Sequence, residues 1–310
     1  MKILFVRPLS ANLPEIDAYI KYFNEDKRFL AVDSSEYGAD HLPYEEYDII
    51  WEFKGMGGYQ NDQKIIVHDY PSLSTGTLAK VKNTIKRFYN PKPDLRIFLN
   101  EYVKKGFGFK DETPSVYRDM GIDPVFIQHS SESIEKEYDF VYVGAMTEER
   151  RISQMIDGII SNNSGKLLLI GDPQISVYER YKSNTDITFT GKIPYDEVPQ
   201  VANKAVYALN YIPNKYPYLY QTSTKLIEYL AMNLKVISTE YFWAQHFMRD
   251  NDCAFLMLPD NSFEIKREYL KNFKFRNNIV SERFLWENIL NQSQLKSKLL
   301  EIYDKKIGMV

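Results

Sequence analysis

The chain has 310 residues, a length that suits two compact domains better than one. Apolar residues make up 44% and charged residues 26%, which argues against long disorder, and the single cysteine, Cys253, excludes an intramolecular disulfide or a thiolate-rich metal site. A net charge of −3 argues against wholesale nucleic-acid binding, and His41, His68, His129 and His246 lack the spacing of a structural zinc site.

In chain order, the apolar run Ile3–Val6 stops at Arg7, too short for a signal peptide. No later stretch approaches the roughly 18 to 20 apolar residues that span a bilayer, so a cytoplasmic protein is expected. Short buried-type runs follow, and strands are expected at Ile3–Arg7, Phe29–Val32, Tyr47–Phe53, Lys64–His68, Leu95–Leu99 and Pro124–Gln128. A second set is expected at Phe140–Gly144, Lys166–Gly171, Ile187–Thr190, Ala205–Tyr211, Leu234–Thr239 and Ala254–Leu258. Helical segments between them imply parallel sheets of βαβ units, hence an α/β protein of two doubly wound, Rossmann-like domains facing across a cleft. The polar stretch Ser130–Tyr138 marks the joint, giving domains at 1–131 and 132–291. A final helix at 292–310 is expected to pack back on the first domain.

Ligands of such sheets bind beyond the carboxyl ends of the strands, so the residues there carry the chemistry. Pro8–Asn12 forms the turn after the first strand and lacks phosphate-cradling glycines, whereas Lys54-Gly-Met-Gly-Gly58 supplies a flexible turn. His68 and Asp69 follow a buried-type strand. A histidine there can hydrogen-bond a ligand, and Asp69 can act as a general base. The plainer alternative is a core histidine beside a capping aspartate. Residues 80–110 hold nine Lys/Arg against Asp94 and Glu101, a balance of +7, with several aromatics interleaved. Such a run suits an anionic membrane surface or a diphosphate-linked acceptor, although solvated lysines are the commoner case.

In the second half, Gly144 closes a strand and Thr147 is a candidate N-cap, which puts Arg150 and Arg151 in the first helical turn. Cations are disfavoured at that end of the helix dipole unless an anion is shared with the helix. The Tyr/Pro-rich loop Asn210–Tyr220 offers Tyr218 and Tyr220 for sugar stacking, or packs on its own lobe. Thr222, Ser223 and Thr224 are N-cap candidates for a helix that carries Lys225 and Glu228 one turn apart. Those two side chains make either an anion site or an ordinary surface pair.

Taken together, strand–Gly144–x5–Arg150, the Gly171-Asp172 strand end, Phe189-Thr-Gly-Lys-Ile193 and Lys225-Leu-Ile-Glu-Tyr-Leu-Ala231 followed by Val236-Ile237 resemble the donor-binding lobe of GT-B glycosyltransferases. The similarity is closest to the retaining GT4-like family. The resemblance covers about 115 residues from Tyr138 onward. It implies that Lys225 and Arg150, with Arg151 and Thr224 nearby, contact a donor diphosphate, and that Glu228 contacts the ribose. It also implies that Gly191, Lys192 and Ile193 cradle the base, that Gly171 lies at the nucleotide, and that a first-domain histidine, best matched by His68, approaches the donor sugar and phosphate. Gly144 and Ser223, with the loop tyrosines Tyr218 and Tyr220, are then the candidates to border the sugar. The chain departs from the family pattern at Ala145, Asn233 and Lys235, and Tyr220 stands where a carboxylate normally approaches the donor sugar.

The expectation is therefore a glycosyltransferase moving a sugar from a UDP- or GDP-linked donor to a carbohydrate or lipid-linked acceptor, in bacterial surface polysaccharide or glycolipid assembly. No cofactor is expected. With no Asp-x-Asp pair near a strand end, metal dependence is not expected either. A nucleotide-sugar epimerase and a non-catalytic sugar-nucleotide-binding subunit are the alternatives.

Overall fold

The structure is a computed structural model that describes residues 1–8, 13–37, 42–129, 134–162, 165–261 and 263–306. Most of the Pro8–Asn12 turn and the start of the Ser130–Tyr138 joint lie outside the described residues. The chain forms two compact units, Met1–Gly121 with Leu285–Val310, and Ile122–Phe284.

The first unit is built on a six-stranded parallel sheet of order β2-β1-β3-β4-β5-β6. Its strands are β1 (Lys2–Val6), β2 (Leu30–Asp33), β3 (Ile49–Phe53), β4 (Ile65–Tyr70), β5 (Leu95–Phe98) and β6 (Ser115–Tyr117). Helices α1 (Pro14–Asn24), α2 (Ala79–Tyr89) and α3 (Glu101–Phe107) connect them. Pro14 suits the first turn of α1, where its missing N–H has no intrahelical partner to lose. Ile16, Tyr19 and Phe23 recur at helical spacing on α1 and are fully buried. Their rings meet Phe5 and the fully buried Trp51, with Tyr19 and Trp51 centroids 4.7 Å apart. Much of the aromatic excess is thus core.

The second unit carries another six-stranded parallel sheet, of order β12-β11-β10-β7-β8-β9. Its strands are β7 (Tyr138–Val143), β8 (Leu167–Ile170), β9 (Ile187–Gly191), β10 (Ala205–Asn210), β11 (Lys235–Thr239) and β12 (Leu256–Leu258). The helices are α4 (Val125–Gln128), α5 (Ile152–Ile160), α6 (Ile175–Tyr181), α7 (Val198–Ala202), α8 (Thr224–Ala231), α9 (Phe242–Asp250) and α10 (Arg267–Asn272). Gly158 lets α5 lie directly on backbone, because a Cβ there would collide with the carbonyl of Phe263.

The last two helices, α11 (Trp286–Ser293) and α12 (Leu295–Lys306), return to the first unit, where Leu290, Leu295 and Leu299 are fully buried in the core under α1. Residues 285–291, assigned by sequence to the second domain, therefore belong to the first. The forward crossing falls at Gly121, ahead of the expected 131. Ile122 donates its amide to the Phe284 carbonyl at 2.8 Å, and Phe126 packs edge-on against Tyr195, so this segment joins the second unit.

One expected strand is misplaced. Pro124–Gln128 forms the short helix α4, because the Asp123 carboxylate accepts the Val125 amide at 3.0 Å and Phe126 is the side chain it buries. A three-residue apolar run does not distinguish strand from helix. The sixth strand of the first sheet is instead β6, an edge strand paired to β5 through Ile97 and Val116.

Candidate functional site

The candidate site lies at the carboxyl edge of the second unit's sheet. β7 ends at Gly144, with φ +133°, and β8 ends at Gly171, with φ +128°. A Cβ on Gly171 would sit 2.5 Å from the Gly144 carbonyl oxygen, so glycine is what lets the two strand ends abut. Gly171 also donates its amide to the Gly191 carbonyl, which brings the three glycines singled out by sequence into one corner.

Helix α8 is fixed against this edge from both sides. Tyr229 is fully buried, and its hydroxyl accepts the Val143 amide at 2.8 Å, tying α8 to β7. Ser223 is the N-cap, accepting from Leu226 N, and its hydroxyl donates to Asn210 Oδ1 at 2.7 Å. Asn210 in turn donates to Ser238 on β11, so buried polar groups from two strands set the start of the helix. The first amides of α8 have no partner within the helix and carry the positive end of its dipole.

Lys225, in the first turn, directs its ammonium back to β7. Nζ donates to the Tyr142 hydroxyl at 3.2 Å and lies 4.2 Å from that ring's centroid. A Cβ built on Gly144 would be 3.9 Å from Nζ, so residues far apart in sequence meet here. Burial pushes the Lys225 pKa down, an effect that Tyr142 partly opposes. Arg150 joins Tyr218, Thr222, Ser223, Thr224 and Lys225 around a cavity of about 220 Å³. Among the described residues neither Arg150 nor Lys225 is ion-paired to a carboxylate. Two cations and a helix start thus border one small cavity.

Glu228 lies one turn deeper and is 7% exposed. Its Oε1 accepts the Tyr195 hydroxyl at 2.6 Å. Burial raises its pKa to about 7, while Tyr195 and Lys225 pull in the opposite direction. Lys225 and Glu228 form no ion pair, and each faces its own tyrosine. Sequence reasoning missed both tyrosines. Tyr142 stands two residues before Gly144 and so shares its strand's approach to the edge. Tyr195 carries no local signal.

Other expected residues are distributed differently. Arg150 closes a 3₁₀ turn over Glu148–Arg150, and Arg151 adopts φ +55° just before α5, so neither sits in the helix's first turn. Arg151 lies 3.6 Å from Asp260 and does not line the cavity. Lys192 is exposed and Ile193 half-buried beyond β9, both outside the cavity lining. Of the loop tyrosines, Tyr218 lines the cavity and donates to Glu149 at 3.0 Å, whereas Tyr220 packs edge-on against Phe242. Tyr211 is core, 1% exposed against Phe263.

In the first unit, β4 runs on to Tyr70, so His68 and Asp69 lie inside the strand and are fully buried, not beyond its end. They point to opposite faces. Asp69 accepts two bonds from Arg118 Nη2, at 3.0 and 3.1 Å, and one from the Tyr19 hydroxyl at 2.8 Å. His68 Nε2 is 3.4 Å from Glu52, and burial lowers its pKa while Glu52 opposes that. Among the described residues no group of three His, Cys, Asp or Glu could hold a metal ion, and no helix is long and apolar enough to cross a membrane.

Two doubly wound units of parallel strands, joined twice and closed by returning C-terminal helices, define the GT-B architecture. The structure of Anabaena HepE in complex with UDP and glucose is similar, with a TM-score of 0.67 and 12% identity over 97% of this chain and 99% of that one. Sucrose-phosphate synthase from Thermosynechococcus elongatus is similar at 0.64, with 14% identity over 97% and 99%. The UDP-GlcNAc 2-epimerase of Methanocaldococcus jannaschii, in complex with UDP-GlcNAc and UDP, is similar at 0.54, with 12% identity over 94% and 99%. At such identities the likeness is one of fold. No family model matches the chain, and no curated protein matches its sequence.

Proposed function

We propose that the chain is a glycosyltransferase that takes a sugar from a nucleotide-sugar bound to the second unit and passes it to an acceptor hydroxyl. The observation that carries this reading is Lys225, a part-buried ammonium with no carboxylate partner among the described residues, held beside Gly144 at the start of α8 with Arg150 across the cavity. A diphosphate would satisfy both cations and the free amides of α8 at once. As the glycosidic bond breaks, negative charge grows on the leaving diphosphate, and these fixed charges stabilise it, the work a metal ion does elsewhere. Glu228, one turn deeper, suits ribose hydroxyls, which would compete with Tyr195 for its carboxyl group. Similar structures carry UDP in the two-domain fold, which supports a nucleotide donor. A carbohydrate or lipid-linked acceptor, in surface polysaccharide or glycolipid assembly, fits this chemistry.

Asp69 is spoken for by Arg118 and Tyr19, so the proposal assigns it to architecture and leaves the acceptor base open. The test is to incubate the purified protein with UDP- and GDP-sugars, with and without a panel of acceptors, and to analyse products by mass spectrometry. Nucleoside diphosphate released together with a glycosylated acceptor is the expected result. An epimerised donor formed without acceptor would identify an epimerase instead. Binding without either reaction would favour a non-catalytic subunit.

A further inference from the structure

Helix α2 is amphipathic in the wrong sense for a core helix. Leu78, at its N-cap, and Val81, Ile85, Phe88 and Tyr89 recur on one side within about a third of the circumference. All five are solvent-exposed, Phe88 at 76% and Tyr89 at 66%. The opposite, inward side holds Ala79 and Asn83, which are buried, and Asn90 follows at the C-cap. Asn83 accepts the Ser74 amide, and Asn90 bridges Gly55 and Gly57, so polar side chains anchor the helix while its apolar side faces out. The Gly55–Gly58 loop, which carries the 59% exposed Met56, passes beside Tyr89 at Gly57. Scattered exposed apolar residues are ordinary, but a contiguous helical stripe marks an interaction surface.

Charge identifies what the stripe meets. Residues 70–93 contain five Lys/Arg and no Asp or Glu. Lys82 flanks the stripe, and Lys86 lies on the adjoining flank, where burial and the charges of Lys82 and Lys54 lower its pKa. Arg87 stacks its guanidinium 4.5 Å from the centroid of Phe88. An apolar face with aromatic ends, bordered by cations and free of acid, matches the headgroup and acyl boundary of an anionic bilayer. We propose that the chain docks on anionic lipid membranes through the outer face of α2, with Leu78, Val81, Ile85 and Phe88 entering the interface and Lys82 and Lys86 meeting lipid phosphates.

This proposal is independent of the nucleotide site and is tested separately from it. The full chain is sedimented with phosphatidylcholine vesicles, with and without phosphatidylglycerol, at low and high salt. Binding is expected only with the anionic lipid, and weaker as salt rises. The double variant Ile85→Ser/Phe88→Ser should lower partitioning about tenfold or more, and Lys82→Glu by about fivefold or more. Both variants should keep the thermal midpoint and the nucleoside diphosphate affinity of the wild type, because these side chains are exposed in the other unit. No sedimentation with phosphatidylglycerol vesicles, or variants that sediment like the wild type, would overturn the proposal. So would a wild-type dimer in size-exclusion chromatography that the double variant dissolves, since a second copy would then cover the stripe.

Discussion

Glu228 and Asp69 are both buried carboxyl groups, and the difference between them is what their neighbours supply. Asp69 has a guanidinium and a hydroxyl directed at its oxygens, whereas Glu228 has one phenol. Removing Asp69 leaves the fully buried Arg118 with Glu15, 3.6 Å away, as its remaining carboxylate, so Asp69→Ala should cost about 3–5 kcal/mol in urea denaturation. A variant as stable as the wild type but unable to turn over donor would instead place Asp69 in catalysis. For Glu228 the pKa is raised from 4.5 to about 7 on folding, chiefly by burial. A raised acid pKa means stability that is full below the unfolded value and lost as pH climbs through the folded one. The wild type should therefore lose roughly 3 kcal/mol relative to Glu228→Gln between about pH 4 and about pH 8. A pH-independent difference between the two proteins would mean that the carboxyl group is not held neutral by its surroundings. Lys225 and Glu228 are legible in sequence because their spacing and their place after a Tyr/Pro loop mark a helix start. Tyr142 and Tyr195 are not, because their partnerships exist only once β7, α8 and the turn after β9 are assembled.

At the scale of elements, most strands announce themselves as apolar runs, and the two sheets follow from the helices between them. The exceptions are instructive. Pro124–Gln128, expected as a strand, is helix, with the Asp123 carboxylate accepting the Val125 amide just ahead of it. Ser115–Tyr117, where no strand is expected, pairs at the sheet edge, where three residues need little apolar pattern. β4 outruns its apolar residues because pairing with β3 runs through His68 to Asp69 and pairing with β5 continues to Tyr70. The inverted amphipathicity of α2 is present in the sequence as a periodic stripe, yet only the structure shows that the stripe points outward. Close helix-on-backbone contacts are equally invisible beforehand. Gly158→Ala should destabilise the second unit by about 1–3 kcal/mol in thermal or urea unfolding, because the new methyl group meets the Phe263 carbonyl. Wild-type stability in that variant would mean that α5 can lift from the 263 segment at no cost.

For the molecule as a whole, length correctly suggests two units, but not where the chain changes from one to the other. The return of the last helix is expected from the sequence, but α11 returns with it, because Leu290 joins Leu295 and Leu299 in completing the first unit's core. Leu299→Ala should cost about 2–5 kcal/mol. A chain ending at Phe284 should lose cooperative unfolding of the first unit while the second keeps its fold, as read by hydrogen exchange. The fold, helix α8 and the two cations beside it are the parts that sequence conveys. A catalytic group in the first unit is not, because the residues expected there, His68 and Asp69, are interior. The claim on which the rest depends is that the start of α8 holds a nucleoside diphosphate. Titration calorimetry with UDP and GDP tests it most directly. We predict saturable binding of at least one of them, weakened about tenfold or more by Lys225→Ala, with the thermal midpoint of the unliganded protein little changed. Equal affinity in wild type and variant, or no binding of either nucleotide, would contradict it.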